Sequence, residues 1–189
     1  MKSIKTVTVY AGSGRGRPGD VEVAHALGRH LARHGYSVLY GGGREGMMGA
    51  LAEGVLEQGG QIRSVLIPKF LSVAHPGVTD IEVVPTLWDR KRHLVEGGQA
   101  SLALPGGIGT LDELCEMLSL AQLKIRNQPI LLLDHAEYFR PLLELIEWTI
   151  RSGFAREEDR SLCQRVGRVE EVAETVERWV PPAIPDKQA

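Results

Sequence analysis

The 189-residue sequence has only two cysteines, Cys115 and Cys163, in neither CxxC nor zinc-type spacing. That excludes a disulfide framework and a cysteine-built zinc site, and it fits a reducing compartment. Positive charge is not in excess: 22 Lys and Arg stand against 24 Asp and Glu, a net charge of −2. No broad field therefore exists to hold nucleic acid or an anionic membrane, and basic residues do not interleave with aromatics as they do in nucleic-acid binders. No apolar run is long enough to span a bilayer. The start, Met1-Lys2-Ser3-Ile4-Lys5, is basic like a signal peptide, but the apolar run after it is short, broken by threonines and ended by a glycine loop. A cytoplasmic setting is expected. The six histidines show no metal spacing, no GxxxxGK[ST] loop is present, and no lysine has a recognisable setting for pyridoxal phosphate. Neither metal nor organic cofactor is expected.

What remains is an ordinary globular composition, 43% apolar and 24% charged, without internal repeat or linker. A single domain over residues 1–180 and a loose proline-rich tail over 181–189 are expected. Apolar stretches of strand length at 6–10, 37–40, 62–67, 81–84, 101–104 and 129–133 alternate with segments of helical period. The helices are expected at 20–34, with Asp20 as its cap, and at 46–58, 90–96, 110–123, up to 151, and 170–179. This alternation implies an α/β fold: a Rossmann-like, doubly wound, mainly parallel sheet with helices on both faces. Such sheets bind ligands at the carboxyl ends of their strands, near a topological switch point.

Glycine clusters at 12–16, 41–43 and 106–109 each follow a strand, so all three should open on one sheet edge. For any one glycine, turn geometry alone is a competing explanation. The first cluster fails as a dinucleotide fingerprint, because Arg17 stands where the third glycine belongs and the second strand ends in glycines rather than an acid. The third is sharper. Leu104-Pro105-Gly106-Gly107-Ile108-Gly109-Thr110 joins a buried strand to a helix, whose start offers unpaired N–H groups and a partial positive charge to a phosphate.

Tyr40-Gly41-Gly42-Gly43-Arg44-Glu45-Gly46-Met47-Met48-Gly49, Asp89-Arg90-Lys91 and Pro105-Gly106-Gly107-Ile108-Gly109-Thr110-Leu111-Asp112-Glu113 resemble the signatures of the LOG family. These are cytokinin riboside 5′-monophosphate phosphoribohydrolases, long mislabelled as lysine decarboxylases. The resemblance runs from the Ala11-Gly12-Ser13 loop to the last helix. It implies a homodimer or larger homo-oligomer that hydrolyses a nucleoside 5′-monophosphate, AMP or N6-modified AMP, to free base and ribose 5-phosphate. Arg90 and Glu113 would be catalytic. Lys91, Gly106, Gly107, Ile108, Gly109, Thr110, Ser13, Gly43 and Leu87 would bind substrate. Two departures bear on base and sugar preference: Ser72 stands where the family often has a nucleotide-binding glutamate, and Leu87 where it often has methionine.

Each assignment has a plainer rival. Thr110-x-x-Glu113 ahead of an apolar helix is also a capping box, with the carboxylate folded back on a backbone N–H. Asp89-Arg90-Lys91-Arg92 is also a solvated helix face. Leu87 and Trp88 either wall a base pocket or pack in the core, Cys115 is expected to be a packed thiol, and Asp112 and Glu116 are expected at the surface. Outside the enzyme class, the main alternative is a non-catalytic nucleotide or cofactor carrier of the same fold. Within it, the alternative is an N-glycosidase of altered base preference. Glycosidic cleavage passes through an oxocarbenium-like state, so a carboxylate beside the anomeric carbon is chemically apt.

Overall fold

Strand and helix alternate along the chain in the computed structural model, which describes residues 6–180. In order they are β1 (Thr6–Tyr10), α1 (Asp20–Arg33), β2 (Ser37–Tyr40), α2 (Gly46–Glu57), β3 (Ile62–Leu66), β4 (Asp80–Val83), α3 (Leu87–Gly97), β5 (Ala100–Ala103), α4 (Ile108–Gln122), β6 (Ile130–Leu133), α5 (Arg140–Arg151), β7 (Gln164–Val166) and α6 (Glu171–Arg178). Three short 3-10 turns lie at Pro68–Val73, His135–Glu137 and Glu157–Ser161. The expected tail at 181–189 and the basic start Met1–Lys5 fall outside the described residues.

All seven strands are parallel, in the order β4-β3-β2-β1-β5-β6-β7. β1 lies between β2 (Val7 opposite Val38) and β5 (Val7 opposite Ala100), so the winding reverses at β1 and β5. One core joins α1, α2 and α6 to one face through Leu27, Leu51 and Val172, and a second joins α3, α4 and α5 to the other through Leu94, Met117 and Ile146. Strands covered on both sides need apolar residues throughout, and β6, Ile-Leu-Leu-Leu, is buried along its length.

Several boundaries differ from expectation, each for a local reason. α3 begins at Leu87 rather than Arg90 because Thr86 and Asp89 cap it: the Thr86 hydroxyl donates to Asp89 Oδ2 at 2.7 Å and accepts from the Asp89 N–H at 3.1 Å. Asp20 does not cap α1. The cap position is Gly19, at φ 92°, and the buried Asp20 carboxylate instead accepts the Arg17 N–H at 2.7 Å. β7 is absent from the sequence reading, since this three-residue edge strand buries only Val166 and has no apolar alternation to reveal it.

Candidate active site

The three glycine loops follow β1, β2 and β5 and open together at the sheet's carboxyl edge. Two of the helix starts beside them already have partners. The α2 start is capped by the first loop, with Met47 N–H donating to the Gly14 carbonyl and Met48 N–H to Gly12, both at 3.1 Å. The α1 start is tied to the Arg17 carbonyl through the Asp20 N–H. At α4 the cap is Gly107, and no side chain bonds to the helix start. Gly12 passes close to this loop: a Cβ there would lie 2.9 Å from Gly106 Cα, so only glycine permits the contact.

A cavity of about 610 Å³ opens in front of α4. Ser13, Gly107, Gly109 and Thr110 line one end; Arg90, Lys91, Asp112 and Glu113 line its polar wall; Met48, Phe70, Leu87 and Trp88 supply an apolar side. Three expected residues stand apart. Gly43 is screened by Met48, whose side chain fills the space where a Cβ would go. Gly106 faces a neighbouring chamber, and the Ile108 side chain is 82% exposed, leaving only backbone to serve a ligand. Ser72 is exposed and outside the cavity lining, whereas Phe70 from the same turn reaches it.

Arg90 and Glu113 form a largely buried pair, Nη1 to Oε1 at 2.9 Å. Arg90 also donates through Nε to the Val65 carbonyl at 3.0 Å and through Nη2 to Gly41 at 3.2 Å, so its fork is bolted to the ends of β3 and β2. The solvated-face reading of Arg90 is therefore wrong. The capping-box reading of Glu113 fails as well. Because α4 starts at Ile108, Thr110 lies inside the first turn and Glu113 nearly a turn beyond it, where it bonds Arg90 instead of a backbone N–H. Burial pushes the Glu113 carboxyl above its ordinary range, against the opposing pull of the Arg90 charge. Among the described residues its second oxygen, Oε2, has no hydrogen-bond partner.

Lys91 is fully engaged. Its ammonium lies 3.2 Å from Asp112 and 3.1 Å from Glu116, and 4.9 Å above the Trp88 ring. Burial alone would lower its pKa, but bonds and charge from Glu116 and Asp112 outweigh that and raise it. Asp112 is at the surface as expected and Glu116 is half-buried, and both hold Lys91. Leu87 and Trp88 wall the cavity rather than the core, Trp88 being 77% exposed. Cys115 does turn away from Glu113, but onto solvent, not into packing. Met48 and Phe70 join the lining without a sequence signal for that role: Met48 lies within the 40–49 signature but has no polar group to mark it as a contact, and Phe70 lies in no motif. Among the described residues no cluster of His, Cys, Asp and Glu could hold a metal ion, and no helix is long and apolar enough to cross a membrane.

A family model described as "Possible lysine decarboxylase" matches residues 48–176. The chain is 40% identical over 161 residues to a cytokinin riboside 5′-monophosphate phosphoribohydrolase of Rhodococcoides fascians, covering 83% of this chain and 81% of that protein. It is 33% identical over 181 residues to the cytokinin riboside 5′-monophosphate phosphoribohydrolase LOG of Oryza sativa subsp. japonica, covering 94% of this chain and 74% of that one. In shape it resembles a molybdenum cofactor carrier protein from Chlamydomonas reinhardtii, with a TM-score of 0.71 at 20% identity over 93% of this chain and 98% of that one. That last likeness bears on the fold alone.

Proposed function

We propose, from the premise that this chain belongs to the family of these cytokinin riboside 5′-monophosphate phosphoribohydrolases, that it hydrolyses the N-glycosidic bond of AMP or N6-modified AMP. Water adds to the anomeric carbon, the C–N bond breaks, and free base and ribose 5-phosphate leave. The observation that carries this reading is the buried Arg90–Glu113 pair facing one cavity with an uncapped helix start.

In this reading the phosphate binds the α4 start at Gly107–Thr110, helped by the hydroxyls of Ser13 and Thr110. The ribose then lies toward Glu113, whose free Oε2 orients or deprotonates the attacking water and faces the growing positive charge. Arg90 holds Oε1, so the carboxylate cannot rotate away. Lys91 offsets Asp112 and Glu116, limiting the negative field on Glu113. The base rests on the apolar side, among Met48, Phe70, Leu87 and Trp88. A decarboxylase reading has little support: a Schiff-base lysine needs a neutral amine, and Lys91 is held protonated by two carboxylates. We read the working form as a cytoplasmic homodimer; the dimer is the part that the exposed apolar side chains Leu123, Ile125, Leu145 and Trp148 support.

The test is discrimination by phosphate. Charge-assisted bonds from several N–H groups contribute about 3–5 kcal/mol, so kcat/KM for AMP should exceed that for adenosine by on the order of a hundredfold or more. Equal turnover of the two would rule out this placement.

A further inference from the structure

The Pro105–Thr110 loop is also held from its far side. Tyr138, between β6 and α5, donates its hydroxyl hydrogen to the Gly106 carbonyl. It lines a chamber of about 210 Å³ with Arg17, Asp20, Met47 and Gly106, and does not line the Arg90–Glu113 cavity; Gly107 borders both.

The turn that presents Tyr138 is strained and heavily anchored. Ala136 and Glu137 are left-handed, at φ 50° and 57°, a conformation that residues with a Cβ avoid. His135 Nδ1 lies 2.6 Å from Oδ1 of Asp20, which is only 1% exposed, and Arg17 donates to the Ala136 carbonyl at 3.1 Å. On the other flank Asp134 accepts the Phe139 N–H at 2.8 Å and pairs with Arg165 at 2.5 Å. The Tyr138 ring stands edge-on to the buried Phe139 ring. Strain kept in place by so many contacts fixes the hydroxyl in one position.

Resting on the phosphate placement above, we infer that Tyr138 is a positioning residue that sets the direction of the Gly106–Gly107 peptide. A trans peptide is planar, with C=O and N–H on opposite sides. Holding the Gly106 carbonyl on the Tyr138 side therefore turns the Gly107 N–H toward the cavity, as a phosphate donor requires. Glycine on both sides leaves this peptide otherwise free to flip. A flipped peptide would offer the phosphate a carbonyl oxygen in place of a donor. The Tyr138 hydroxyl thus acts on phosphate recognition without touching substrate, and contributes nothing to bond cleavage.

Tyr138→Phe keeps the ring and removes only the hydroxyl. A backbone-directed hydrogen bond of ordinary strength corresponds to roughly a two- to tenfold effect. KM for AMP and the inhibition constant for ribose 5-phosphate should rise together by that factor. kcat for AMP should stay within about twofold, kcat/KM for adenosine should not move, and the melting temperature should fall by no more than about 2–4 °C. A variant that keeps the full AMP-over-adenosine preference overturns the role of Tyr138, and so does one that loses both substrates equally, as a structural defect would. Wild-type protein without that preference overturns the underlying phosphate placement instead, so the two failures are told apart.

Discussion

Glu113 is pulled in two directions, and the balance decides how activity follows pH. Desolvation favours its neutral form and the Arg90 charge its ionised form, with desolvation stronger. If the ionised carboxylate does the work, the acid limb of kcat/KM for AMP should fall above the ordinary carboxylate value of 4.5. Folding is linked in the opposite sense. A carboxyl whose pKa is raised in the folded state adds stability below its unfolded pKa and loses it as pH rises through the folded pKa. At neutral pH the buried charge is therefore a burden on the fold. Glu113→Gln, which can still accept from Arg90, should melt no lower than wild type near neutrality, yet release base about 10²–10⁴-fold more slowly. A fully active Gln variant would return Glu113 to a structural role. At this scale the sequence was legible in residue type but not in contact. The Arg90 and Glu113 positions could be named, but Lys91 pairing with Asp112 and Glu116 depends on α3 lying beside α4, which neither helix records in its own sequence.

At the scale of elements, α3 delivers Arg90 to the ends of two strands, and the fit at Gly41 is close. A Cβ on Gly41 would lie 2.3 Å from Arg90 Nη2, the far end of a flexible side chain. Gly41→Ala should therefore displace the guanidinium, lowering melting by a few degrees while activity falls about tenfold or more as Glu113 loses its clamp. Measured melting and kcat/KM should separate in this variant; unchanged activity would mean that the Arg90 geometry is not needed. β1, β2, β3, β5 and β6 were legible as bounded, mainly apolar stretches, β4 by Ile81 and Val83 alternating with Asp80 and Glu82, and the long helices by a regular apolar period. Helix starts were harder. Apolar periodicity marks α4 only from Thr110, and Thr110-x-x-Glu113 also spells a capping pattern, while the actual cap, Gly107, has no side chain to announce it. Tyr138 was invisible for a related reason: its role depends on two left-handed residues, neither of them glycine.

For the whole molecule, the decisive feature is the sheet order. The winding reverses between β1 and β5, and that places the Ser13 loop and the α4 start around one opening, with the Gly41 carbonyl behind it holding Arg90. Strand–helix alternation and the position of glycines after strands made this edge legible; which helix start stayed free was not, because the partners of α2 come from the first loop. A carrier of the same fold would keep the opening and the uncapped helix start, and would have no use for an anchored carboxylate with one oxygen left over. The measurement that separates the two is product analysis after incubating the protein with AMP. An enzyme should release adenine and ribose 5-phosphate in equal amounts over many turnovers, with neither accumulating when Glu113→Gln replaces wild type. AMP bound in stoichiometric amount and recovered intact from wild-type protein would contradict the account.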